Sequence, residues 1–192
     1  SIFDGESYDA RLEQPGWNEP GFDPAARRDR TAQWTQVFAV RAPGGRLQAQ
    51  PVEPIRVVRE LPAQRVTEPR PGVFVFDCGQ NHAGWARVRV NGPRGTTLTL
   101  RYAEVLADDG AVNQENLRTA LATDTYVLGG GGGETWQPRF TYHGYRYVQV
   151  EGWPGVPAPG ALTACVVRSA MANRGQFASS DPLLNRIHAQ VR

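Results

Sequence analysis

The chain has 192 residues, enough for one all-β domain with part of a neighbour, and its 21 basic and 19 acidic residues leave a net charge of +2. Every basic residue is arginine, which excludes a Schiff-base lysine and the lysine of a phosphate-binding loop. The 21 glycines and 15 prolines are spread between apolar runs instead of forming a low-complexity tract, a composition of many short strands and turns, not of disorder.

Residues 1–16 read as the trailing strand of a preceding domain, and 17–50 as a lead-in to the main body. The only dense basic cluster, Arg27, Arg28 and Arg30 beside Pro24, reads as a solvated loop, with a patch for an anionic partner as the alternative. No nucleic-acid partner is expected from so balanced a charge.

Period-two alternation then predicts strands at 34–40, 55–61, 73–76, 85–90, 96–102, 123–128, 135–140, 145–150 and 162–167. Turn signals separate them: Pro43-Gly44-Gly45, Pro71-Gly72, Asn91-Gly92-Pro93, Asp108-Asp109-Gly110 and Pro154-Gly155. In 96–102, Leu98, Leu100 and Tyr102 share one face while Thr97, Thr99 and Arg101 take the other, as in a sheet with one covered side. The glycine run 129–133 reads as a flexible connection between two strands, and Gly144 as a tight bend between two more. The period changes at Asp181-Pro182, an N-cap and first-turn proline, after which Leu184, Ile187, His188 and Val191 fall at helical spacing. The expected fold is an all-β jelly-roll sandwich over 17–175, with a short C-terminal helix in 176–192 whose Leu184 and Ile187 cover apolar surface.

No run approaches the ~20 apolar residues of a membrane helix, and no signal peptide is visible. The chain begins at Ser1 in mid-pattern, so the true N-terminus is expected upstream and the compartment is not indicated. Cys78 and Cys165 form either one bridge or two buried thiols. His82, His143 and His188 lack metal-ligand spacing, so neither a metal nor a cofactor is expected. His143 reads as a structural group beside Gly144 or as a ligand contact; His82 reads as an exposed loop residue. The carboxylates open to hydrolytic chemistry are Glu104, Asp108, Asp109, Glu115 and Asp124, with the aspartates before Gly110 reading as turn formers. Trp17, Trp85, Trp136 and Trp153, with Tyr142 and Tyr145, are core or interface rings, or else platforms for a sugar.

The stretch Arg139-Phe140-Thr141-Tyr142-His143-Gly144-Tyr145-Arg146-Tyr147-Val148-Gln149-Val150, with Trp136 before it and Glu151-Gly152 after it, resembles a signature of the bacterial α-L-rhamnosidases. Five further stretches resemble the same family in the same order: Gly5 to Arg11, Phe76 to Asn81, Glu115-Asn116-Leu117-Arg118, Ala122-Thr123-Asp124-Thr125-Tyr126, and Ser180 to Asn185. One departure is the interposed segment 24–33 before Trp34. The resemblance implies a concanavalin-like sandwich ahead of a catalytic barrel of paired helices, with 176–192 opening that barrel and no catalytic residue in this chain. It also implies partners: the rest of the parent enzyme, and rhamnose-containing glycosides. Substrate or interdomain-interface candidates are Glu115, Asn116, Arg118, Asp124, Tyr142, His143 and Arg146. An accessory domain of a rhamnosidase, an autonomous carbohydrate-binding module and a structural spacer are the three readings.

Overall fold

A computed structural model describes residues 1–23, 34–172 and 174–191. The arginine cluster and the interposed segment 24–33 lie outside the described residues. Among the described residues eleven strands follow in chain order: β1 (Ser7–Asp9), β2 (Ile55–Pro62), β3 (Arg65–Arg70), β4 (Val73–Asn91), β5 (Thr97–Ala103), β6 (Val105–Leu106), β7 (Val112–Asn113), β8 (Thr123–Val127), β9 (Gly133–Trp136), β10 (His143–Glu151) and β11 (Leu162–Ser169). Among the described residues one α-helix, α1 (Pro182–Gln190), closes the series.

β4 organises the sandwich. Phe74, Phe76 and Cys78 near its start and Ala86, Val88 and Val90 near its end are all buried, and all are even-numbered. A strand that keeps one parity inward at both ends must curl around the core instead of flipping over it. The first half of β4 lies between β10 and β3, and the second between β11 and β9. One layer therefore runs β1, β8, β5, β10, β4, β3; the other runs β2, β11, β4, β9. Gly84 sits at the bend with φ of 158°, and a Cβ there would fall 1.9 Å from the Cys165 carbonyl oxygen, so only glycine lets β11 pair at this point. Between the layers, Phe76, Leu98, Leu100, Tyr102, Leu128, Val148, Val150 and Leu162 are excluded from solvent. Each such side chain is worth roughly 1.5–3 kcal/mol of burial.

The expected sandwich is present, with local differences. Segments 73–76 and 85–90 belong to one strand. Segment 34–40 forms no strand: Val37 and Phe38 are exposed, because alternation without a ladder partner does not make a sheet. Segment 135–140 leaves the ladder after Trp136, where Pro138 has no N–H to donate and the N–H groups of Arg139 and Phe140 turn to the Glu6 carboxylate. Gly144 is not a bend. β10 runs through it, and its irregularity falls between Tyr145 and Tyr147. His82 lies within β4, half-buried with its ring 4.3 Å from that of Tyr145, so it is not a loop residue. The Asp108-Asp109-Gly110 turn joins β6 to β7 as expected, with Asp109 accepting the Ala111 N–H.

α1 begins as its sequence dictates, the Asp181 carboxylate accepting the Leu183 N–H at 2.8 Å ahead of Pro182. Leu184 and Ile187, however, remain 47% and 49% exposed and take no part in the hydrophobic core. The contacts at its base are polar or aromatic: Asn185 exchanges two hydrogen bonds with Ser179, and His188 lies 4.8 Å from the ring of Phe177.

Candidate functional site

The alternation of β8 turns Asp124 and Tyr126 inward, which would strand a carboxylate in the core were it not fully hydrogen-bonded. Asp124 is wholly buried and accepts from the Tyr102 hydroxyl at 2.7 Å and the Glu6 N–H at 2.9 Å. Nε2 of His143 lies 3.2 Å from its Oδ1. The His143 ring stacks on Tyr102 at 4.2 Å, and Tyr145 meets Tyr102 edge-on at 4.9 Å. Burial, seconded by the charge of Asp124, pushes the Tyr102 phenol well above its ordinary value, so it stays a donor. The structure thus brings Asp124 and His143 together, as an internal polar knot without solvent access.

The other candidates lie apart from this knot. Arg146, three residues on, holds Asp77 through two hydrogen bonds of 2.9 and 3.0 Å, a planar fork on a carboxylate, and its guanidinium lies 5.0 Å from the Tyr147 ring centre. Glu115 and Asn116 occupy an exposed single 3-10 turn whose first N–H is taken by the Asn113 side chain. Arg118 ends that turn at φ of 56° and is also exposed. Tyr142 is half exposed at the edge of an apolar groove.

Glu6 and Tyr102 were not among the candidates. Glu6 spans two segments: its N–H meets Asp124, and its Oε2 accepts from the N–H groups of Arg139 and Phe140 at 2.9 and 2.8 Å. A polar cleft of about 440 Å³ opens beside it, lined by Glu6, Glu13, Arg87, Gln137 and Arg139 with the edge of Tyr8. Trp136 and Tyr126, stacked at 4.9 Å beneath this cleft, are buried. The glycine run folds onto Glu134, whose carboxylate collects the N–H groups of Gly129 and Gly130 and the Tyr126 hydroxyl. Cys78 and Cys165 are free and buried, and burial pushes the Cys78 thiol up to about 12. Among the described residues no group of three or more His, Cys, Asp or Glu side chains is placed to hold a metal ion, and no helix is long and apolar enough to cross a membrane.

The curled two-layer sheet is that of a concanavalin-like β-sandwich. The chain belongs to the bacterial α-L-rhamnosidase concanavalin-like domain family, whose family model matches residues 67–168, and residues 1–59 match the α-L-rhamnosidase N-terminal domain. An α-L-rhamnosidase of Streptomyces avermitilis is 46% identical over 99% of the chain, which spans 18% of that relative. The structure of α-L-rhamnosidase from Dictyoglumus thermophilum superposes with a TM-score of 0.88 at 40% identity, covering 98% of this chain and 21% of that one. The Streptomyces avermitilis enzyme complexed with L-rhamnose superposes at 0.80, covering 96% of this chain and 17% of that one. The chain spans about a fifth of the length of the curated relatives it matches.

Proposed function

We propose that this chain is an accessory, non-catalytic β-sandwich of an α-L-rhamnosidase, a parent enzyme that removes terminal α-L-rhamnose from glycosides. The observation that carries the reading is likeness to rhamnosidases along nearly the whole chain, combined with coverage of only about a fifth of their length. Residue chemistry supports it. Glycoside hydrolysis needs two carboxylates facing each other across the scissile bond, roughly 5–9.5 Å apart. Asp124 is committed to buried donors, and Glu115 stands exposed on a surface turn. On this reading 1–16 trails from a preceding domain, 176–192 opens the catalytic barrel, and the barrel supplies the acid and base. An aryl α-L-rhamnoside assay of residues 1–192 beside the full-length enzyme tests it: turnover by the longer protein alone is expected. Turnover by the fragment, lost in Glu115→Ala or Asp124→Ala, overturns it.

A second reading, an autonomous carbohydrate-binding module, is favoured by the cleft beside Glu6, whose carboxylates, guanidinium groups and amide match the vicinal hydroxyls of a sugar. Titration of the fragment with L-rhamnose, followed by calorimetry, separates the two readings.

A further inference from the structure

We propose that a second groove, beside the N-terminal segment, is the seat of another segment of the same polypeptide, one lying outside residues 1–192 and presenting an apolar side chain with an acidic neighbour. The inference rests on the reading of the chain as part of a longer enzyme. The groove, about 420 Å³, is walled by Ile2, Ile55, Trp85, Phe140, Tyr142 and Val167. Phe140 is 83% exposed and Ile55 71%, an arrangement that a stable surface rarely leaves to water. Aromatic rings at the centre of such a patch are the usual anchors of an interface.

Two observations say what covers it. First, the routes into and out of the sandwich converge here: Ile2 from the N-terminal segment, Ile55 at the start of β2 and Ser169 at the end of β11 all line the groove, and Ser169 pairs with Ile55. Val167 and Arg168 also line the neighbouring cleft closed by Ala189 and Gln190 of α1, so both ends of the chain reach this face. Sequence joined to either end therefore emerges beside the groove at high effective concentration. Second, Arg139 and Arg168 stand at the rim, and among the described residues no carboxylate lines the groove. A partner with a carboxylate neighbouring its apolar group suits this rim.

The test uses hydroxyl-radical footprinting of the full-length enzyme, reading Phe140 and Tyr142 in the native protein against the same residues in urea. Seating predicts native oxidation at least about fivefold slower, since an interface core excludes water. It also predicts that the protection persists on dilution, and that Phe140→Asp exposes Tyr142 while Val156→Asp, on an exposed loop, does not. Native Phe140 reacting within about twofold of the unfolded rate overturns the proposal, as does protection lost on dilution, which would identify a second copy as the occupant. Activity on an aryl α-L-rhamnoside is measured on the same sample. An active enzyme with an unprotected groove refutes the seat alone, whereas a full-length protein without rhamnosidase activity refutes the functional reading beneath it.

Discussion

Oδ1 of Asp124 lies 3.2 Å from Nε2 of His143, although the two residues stand on strands separated by β5 and both are withdrawn from solvent. The same oxygen accepts the Glu6 N–H, so one carboxylate ties the N-terminal segment, β8 and β10 together.

Removing that carboxylate strands the buried Tyr102 hydroxyl and His143 ring and the partly buried Glu6 N–H. Asp124→Ala is expected to cost roughly 3–5 kcal/mol, because the donors left behind pay their desolvation unaided. Asp124→Asn, which keeps one acceptor, should cost roughly 1–2 kcal/mol. Urea denaturation monitored by tryptophan fluorescence measures both. Equal, negligible losses would show that the knot is not structural.

Gly5 is the second point of control over the N-terminal segment. It has φ of 119°, and a Cβ there would fall 1.9 Å from the Thr123 carbonyl oxygen, against the ladder that holds the segment to β8. Gly5→Ala should cost more than about 1 kcal/mol and release residues 1–9. Hydrogen exchange reads this directly: the Thr123 and Thr125 N–H groups, bonded to Asp4 and Glu6 carbonyls, lose protection while those of β10 keep it.

The pairing of Asp77 with Arg146 sets an acid limit. The Arg146 guanidinium, helped by the Gly79 N–H and against the pull of burial, holds the Asp77 carboxyl below its usual 3.8. A depressed folded value means that its stabilisation is complete above the unfolded value and disappears as pH falls through the folded one. With Arg146 40% exposed, the contribution is about 1 kcal/mol or less. Thermal melts of wild type and Arg146→Gln should therefore differ at pH 6 and converge as the pH falls through the depressed folded value of Asp77.

Cys78, its thiol raised to about 12 by burial, should resist alkylation at neutral pH for as long as the sandwich is folded. Iodoacetamide labelling followed by mass spectrometry should find Cys78 and Cys165 modified only in denaturant. Rapid labelling of native protein would contradict their placement in the core.

Much of the sheet was legible because its signal is local. Leu98, Leu100 and Tyr102 alternate with polar neighbours on a strand covered on one side, and Asp181-Pro182 carries its own helix start. β3 was missed because Arg65 to Arg70 has little apolar character and is a strand only by virtue of its pairing with β4. The opposite error at 34–40 has the same cause: alternation says what a strand would bury, not whether a neighbour exists. At the site, Asp124 and His143 could be named from motifs, but their partnership with Glu6 spans 118 residues and left no periodic trace.

β4 also bears on how the chain is made. Its ladder partners are β3 just before it and β9, β10 and β11 after it, the last ending at Ser169. On a ribosome, the longest strand of the protein emerges with only β3 beside it and waits for close to eighty further residues before its remaining edges are filled. Through that interval residues 73–91 form a bare template for other strands, and Asp77, Arg87 and Arg89 are the charges within it that oppose stray pairing.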